Sequence, residues 1–352
     1  MVKVSKPLIS FALIFGLSAC SGQSFPEAIC ERVNITSGGN PVIGVEDMAY
    51  DAKTQSLYLS AYDRRAHSKG GIYRLALDGT ATDLTAAPVI ENIRPHGIDL
   101  TRNAESLTLD FIDRQGSKDD RKPVIRNLSW DDTAPDVLTE APPLSDRRLC
   151  ASNDLVRSED GTIFITQDHK SCTRKEQRRE NIFAPDEGYV AYIDIGGNDV
   201  RTVYGTHSFP NGILESKARD RLYIAQTRKK RIVILHDRFK SKFVSTIELN
   251  GGPDNLTRDG DVIYAALIPS LIKFSNYQKK PNKPIKSRFS VLVTKKSLTL
   301  EIGEKPHNIT TYDVPASVIS GATVAIKAGE HIWLGAGYDT AIARCTLPES
   351  PL

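Results

Sequence analysis

The chain has 352 residues, of which 40% are hydrophobic and 25% charged, enough for one large core or two ordinary ones and too apolar for a disordered chain. Its 46 basic and 43 acidic residues are scattered without a dominating block and leave a formal net charge of +3, which argues against nucleic acid as a partner.

At the N-terminus, Lys3 and Lys6 precede an apolar run from Pro7 to Leu17 that is too short to span a bilayer as a mature helix. This pattern predicts an export signal over residues 1–19. Its end, Leu17-Ser18-Ala19-Cys20, resembles the bacterial lipoprotein cleavage box, in which the cysteine becomes the lipid-bearing first residue. Diacylglycerol plus an N-acyl chain on Cys20 would anchor the protein stably, and Ser21 in place of Asp implies the outer membrane, facing the periplasm. Residues 20–29 then form a tether, with Pro26 its stiff point, and the lipid is the only predicted membrane contact.

From there a short apolar phrase recurs six times: Leu57-Tyr58-Leu59, Leu107-Thr108-Leu109, Ile163-Phe164-Ile165, Leu222-Tyr223-Ile224, Val262-Ile263-Tyr264 and Ile332-Trp333-Leu334. Each reads as a buried strand, and the spacing of 40 to 70 residues suits propeller blades. Further strand candidates lie between them, at Gly71–Leu75, Tyr189–Ile193 and Arg231–Leu235, bounded by Gly, Asp, Asn and Pro. No convincing long amphipathic helix is visible, which excludes the helical crossovers of a doubly wound sheet. The prediction is an all-β, six-bladed β-propeller over residues 30–352. Two basic stretches, Arg174–Glu180 and Lys279–Arg288, read as solvated loops on one face.

With Cys20 set aside, Cys30, Cys150, Cys172 and Cys345 form an even set in an exported protein, with three pairings open. The favoured pairing joins Cys30 to Cys345, the two ends of the folded part, and Cys150 to Cys172, which flank one strand phrase.

Ahead of the phrases stand turns bearing oxygen ligands. Glu46, His96 and Asn211 lie eleven residues before their phrases, Asn153 ten and Asp254 eight; the sixth version, Ser320-Gly321-Ala322-Thr323, is apolar. In a propeller such positions converge on the central channel. Glu46, Asn153, Asn211, Asp254 and Asn255 then offer carboxylate and amide oxygen without thiol or imidazole, a set that suits calcium better than zinc or copper.

Glu46-Asp47, Pro95-His96-Gly97-Ile98, Asn153-Asp154, Asp168-His169, Asn211-Gly212-Ile213 and Asp254-Asn255, with terminal Cys30 and Cys345, resemble the paraoxonase (arylesterase/lactonase) family, related to gluconolactonase and strictosidine synthase propellers. The resemblance covers nearly all of residues 30–347. It implies a propeller closed by an N-to-C disulfide and holding two calcium ions. A catalytic ion would be held by Glu46, Asn153, Asn211, Asp254 and Asn255, and a structural one by Asp47, Asp154 and the carbonyl of Ile98. The substrate would be a small ester or lactone, with His96 as base. A second family histidine is missing from Asp110-Phe111-Ile112-Asp113, where Asp113 is assigned to orient His96, with Asp110 or Ile112 as other registers. Ile268 replaces another family histidine, and His169 is a reserve base. These losses leave an alternative: a non-catalytic, calcium-stabilised propeller that binds a partner or ligand at the envelope. No G-x-S-x-G or phosphate-loop motif is present, and the N-x-[ST] sequons carry no meaning in a bacterial lipoprotein.

Overall fold

Alternating apolar positions fold into six four-stranded antiparallel sheets in the computed structural model of this protein. It describes residues 24–347 apart from 86–89, 118, 136, 184, 195–198, 217–220, 240–243 and 294–307, so the export signal and Cys20 lie outside the described residues. The blades begin with the inner strands Val45–Asp51, Pro95–Asn103, Ser152–Arg157, Pro210–Ser216, Gly252–Asp259 and Val324–Ala328. The six recurring phrases form the second strand of each blade, one step outward from the channel.

Six apolar clusters fill the six gaps between neighbouring blades. Blade 1 meets blade 2 through Tyr58, Ile72, Leu107 and Phe111, and blade 6 meets blade 1 through Trp333, Val324, Met48 and Leu57. Burying each such large side chain contributes roughly 1.5–3 kcal/mol, so the core is a ring of interfaces rather than one central mass. This explains why both faces of the phrases are apolar: each second strand is packed on two sides.

The first strand, Ile29–Val33, completes blade 6 by pairing with Ile342–Thr346. Cys30 stands directly opposite Cys345 in that register, and the two form a disulfide. Cys150 and Cys172 form the second. Closing a loop with a sequence separation of 315 residues stabilises by about 5 to 6 kcal/mol in the chain-entropy model.

The first basic stretch departs from the loop expectation, while the second is loop between residues 280 and 286. Arg174–Phe183 is a helix, α1, whose start carries the capping-box sequence: Thr173 Oγ1 accepts from Glu176 N at 3.3 Å, and its hydroxyl donates to Glu176 Oε2 at 2.8 Å. The second stretch begins at the end of another helix, α2 (Leu271–Lys279), and ends on a blade-5 strand. The two helices sit between the second and third strands of blades 3 and 5. No helix among the described residues is long and apolar enough to cross a membrane.

Candidate metal centre and channel

In five of the six blades the pairing between inner and second strand shifts register near its start: at Val45/Asp47, Pro95/Ile98, Ser152/Leu155, Pro210/Ile213 and Pro253/Leu256. These irregularities contain Glu46, His96, Asn153, Asn211 and both Asp254 and Asn255. A bulge re-aims the side chains it contains, so the predicted ligands occupy irregular strand starts rather than turns. Blade 6 pairs regularly, and its turn is the one without an oxygen ligand. Close glycines let the strands approach one another: a Cβ on Gly97 would lie 2.6 Å from Asp154 Cα, and one on Gly212 would lie 2.6 Å from the Asp254 carbonyl.

The three asparagines share one arrangement. Asn153 Nδ2 donates to Asp168 Oδ2 at 3.2 Å, Asn255 Nδ2 to the Glu46 carbonyl at 3.0 Å, and Asn211 Nδ2 to Asp254 Oδ1. Their Oδ1 atoms are buried and have no partner. Glu46 Oε2 joins them. His96 Nδ1 lies 2.9 Å from it but also 3.0 Å from Arg64 Nη2, and in the tautomer that accepts from arginine it has no proton for the carboxylate. Four donor-less buried oxygens would each cost a desolvation penalty unless a cation serves them. The residues therefore fit a hard cation. Among the described residues no three His, Cys, Asp or Glu side chains cluster as a metal site, because amides supply most of the donors here.

Electrostatics agree with the donor set. Burial opposes ionisation of Glu46, yet His96, Arg64 and Arg114 hold its carboxyl below the usual range. Burial and then Arg114 push the His96 imidazole well down, against the pull of Glu46, so the ring is neutral near pH 7. Burial and the nearby Glu46 raise Asp254 well above the carboxylate range.

Asp47 and Asp154 lie one position further along the bulges. Asp47 Oδ2 accepts from Ile98 N at 2.8 Å, and Asp154 Oδ2 from Ile213 N at 2.9 Å. Burial raises both carboxyls, and neighbouring negative charge raises them further: Glu46 acts on Asp47, and Asp47 on Asp154. Two desolvated carboxylates in one place also suit a cation. What the structure records for Ile98 is its N–H, as a donor to Asp47, rather than its carbonyl.

Two further expectations meet different geometry. Asp113 is outside the cluster: its carboxylate accepts from Arg94 N at 2.9 Å, Gln115 Nε2 at 2.6 Å and Arg126 Nε at 2.8 Å, so it does not orient His96. Asp110 is claimed by Arg157 at 2.5 Å, and Ile112 is core. His96 Nδ1 is instead set by Arg64 and Glu46, both invisible to local spacing. His169 has both nitrogens occupied, Nδ1 by Asp168 Oδ1 at 2.6 Å and Nε2 by Asn181 Oδ1 at 2.7 Å, so it links α1 to the channel instead of standing ready as a base. His96, Asn153, Asn211, Asp254 and Ile268 line a cavity of about 840 Å³. Asp47, Asp154 and Ile98 line a second one of about 560 Å³.

A family model described as Arylesterase matches residues 76–347. The adipocyte plasma membrane-associated protein of Mus musculus is 25% identical over 229 residues, covering 60% of this chain and 55% of that protein. Its Rattus norvegicus counterpart is also 25% identical, with 61% of its length covered. The chain thus spans less than two thirds of either relative. Among solved structures, the regucalcin of Agrobacterium tumefaciens, described as a calcium-binding protein, aligns with a TM-score of 0.54 at 14% identity, covering 92% of this chain and 96% of that one. A gluconolactonase of Xanthomonas campestris aligns with a TM-score of 0.51 at 14% identity over 93% of this chain and 98% of its own. A luciferin-regenerating enzyme gives 0.54 at 14% identity over 91% and 95%. At these identities the structural neighbours establish the six-bladed fold.

Proposed function

The chain belongs to the arylesterase family, and on that premise we propose that it is a calcium-dependent hydrolase of small esters or lactones. The observation that carries the reading is the convergence of Glu46 Oε2 and the three asparagine Oδ1 atoms as buried oxygens without donors, beside Asp254. Glu46, Asn153, Asn211, Asp254 and Asn255 would hold calcium, which when bound polarises an acyl carbonyl and stabilises the oxyanion that water addition creates.

The protein's own groups do the rest. The amide ends of the asparagines are pinned by Asp168, Asp254 and the Glu46 carbonyl, which fixes where their oxygens point. Nε2 of neutral His96 carries no hydrogen bond among the described residues; in the tautomer that donates Nδ1–H to Glu46 Oε2, 2.9 Å away, this nitrogen is unprotonated and can take the proton of the attacking water as its oxygen bonds to the acyl carbon. The acyl–oxygen bond then breaks, and the proton passes to the leaving alkoxide. Asp47 and Asp154 would hold a second, structural calcium; their bonds to Ile98 and Ile213 tie blade 1 to blade 2 and blade 3 to blade 4.

The test is a panel of aryl esters and lactones assayed with calcium, after chelation, and after calcium is restored. Turnover that vanishes and returns supports the reading; calcium-loaded protein inert across the panel sinks it. Cys20 as a lipid anchor at the outer membrane is a separate proposal, resting on the Leu17–Cys20 box. A Cys20→Ser chain should leave the membrane fraction, and one that stays there refutes the anchor.

A further inference from the structure

Several strand arginines of this protein pair with carboxylates. Arg102 pairs with Asp51 and Asp132, Arg126 with Asp113 and Glu140, Arg157 with Asp110, and Arg288 with Asp313. Arg114 breaks this pattern. Only 8% exposed, it donates to the Ser152 carbonyl at 3.1 Å, and no ion pair to it is present among the described residues. Its guanidinium lines the 840 Å³ cavity. A buried guanidinium with spare donors and no carboxylate at hydrogen-bonding distance is costly to maintain.

Arg121 stands beside it. In the blade-2 hairpin Arg114 lies opposite Pro123, and Arg121 lies two residues before Pro123, so the two arginines are diagonal neighbours on one sheet face. Arg121 also lines the cavity and forms no ion pair among the described residues. Asp119, on the same wall, pairs with neither. Burial first, and then the charge of Arg121, lowers Arg114 to about 10. With these two included, the cavity wall holds seven arginines and a lysine against four carboxylates, a net positive lining.

We propose that Arg114 and Arg121 form an oxyanion subsite beside the metal centre, and that the ester or lactone taken by this channel carries its own carboxylate or phosphoryl group. The proposal rests on the hydrolase reading for the word substrate, but the subsite itself does not. Guanidinium forks match the paired oxygens of carboxylate and phosphate. Ser152, whose carbonyl holds Arg114, immediately precedes the ligand Asn153, so the subsite and the metal centre share one strand start. A bound oxyanion would therefore set the acyl carbon's distance from the metal and select for acids among esters.

Three phenyl esters of similar length decide it: monophenyl succinate, phenyl 3-phosphonopropanoate and neutral phenyl pentanoate, assayed on the calcium-loaded protein. We expect kcat/KM for at least one anionic ester to exceed that for the neutral one tenfold or more, the favoured anion identifying the group. In Arg121→Met this ratio should fall about tenfold; Arg114→Met should do the same if it folds. A ratio near one, or one unmoved in Arg121→Met, overturns the proposal, since the arginines would then serve only as structural counter-charges to Glu46 and Asp168. Calorimetric titration with succinamate and 3-phosphonopropanoic acid separates the two readings. Saturable binding weakened tenfold by Arg121→Met, with no ester hydrolysed, retains the subsite and sinks the hydrolase; absence of saturable binding to both probes overturns the subsite even if neutral esters turn over.

Discussion

Ile213 donates its backbone N–H to Asp154 Oδ2 across the boundary between blades 3 and 4, and Ile98 repeats this contact with Asp47 between blades 1 and 2. Each bond ties a carboxylate to the next blade rather than to its own sheet. If both carboxylates also hold calcium, the ion fastens four of the six blades. Calcium at a hundredfold excess over Kd should stabilise by about 2.7 kcal/mol, a Tm rise of roughly 4–5 °C for a domain of this size. Asp154→Asn keeps an oxygen for Ile213 N but loses the charge, so most of that rise should disappear; an unchanged calcium response in scanning calorimetry rules out the second site.

His96→Gln separates chemistry from metal binding. The glutamine amide can still meet Arg64 and Glu46, while the proton acceptor is gone. Loss of a general base costs on the order of 10²–10⁴ in kcat, so kcat should fall by at least a hundredfold while calcium affinity moves by no more than a few-fold. Equal loss of both would make His96 a wall residue.

Asn211→Leu removes one orphaned oxygen and the amide that holds Asp254. Chelated protein should lose only about 1–3 kcal/mol, the range for leaving one buried group unpaired. Calcium affinity should fall far more, by tenfold or greater, when read by isothermal titration. A variant that binds calcium like the parent excludes Asn211 from the ligand set.

His169 ties α1 to the channel through Asn181 and Asp168. Burial works against its charge, but Asp168 and the hydrogen bonds outweigh that and raise its pKa above the ordinary 6.5. A group whose folded pKa is raised stabilises fully below its unfolded value and loses that contribution as pH climbs through the folded one. Amide exchange in Arg174–Phe183 should therefore be slow below about pH 6.5 and quicken above it beyond the intrinsic base-catalysed rise. In His169→Gln this extra pH dependence should be absent; its persistence would assign the helix's stability elsewhere.

Severing Cys30 from Cys345 with a pair of serines should lower Tm by several degrees and at most roughly 10 °C, taking about 5 to 6 kcal/mol as the upper bound and roughly 1.5–2 °C per kcal/mol at this chain length. The strand Ile29–Val33 remains paired in register, so the variant should still fold. A Tm within 2 °C of the parent would place the closure in the strand pairing alone.

Much of the architecture was legible because repetition is visible in one dimension: Leu57, Leu107, Ile163, Leu222, Val262 and Ile332 open equivalent strands. The buried oxygens proposed as ligands were legible through their similar offsets from those strands, eight to eleven residues for Glu46, Asn153, Asn211 and Asp254, and through their chemistry. Partner choice was not. Asp113 was assigned to His96 by proximity along the chain, but it lies opposite Val124 in the hairpin and is taken by Arg126, two residues further on. The helix at Arg174–Phe183 hid behind its basic composition, although Thr173-Arg174-Lys175-Glu176 carries the capping-box sequence that announces it. Arg64 and Arg114 gave no signal at all, because a lone arginine in a strand or loop looks the same whether or not a carboxylate awaits it.

The register shifts at the starts of the five inner strands bear on how such a site can arise or vanish. Because successive strand residues face opposite ways, trimming one residue from a bulge such as Pro210/Ile213 would turn Asn211 away from the axis while sparing the apolar alternation that follows. Blade 6 already has the unbulged form. Ancestral and sister proteins could therefore differ in metal stoichiometry, or lack an ion entirely, through single-codon insertions and deletions that leave the ring of blades untouched.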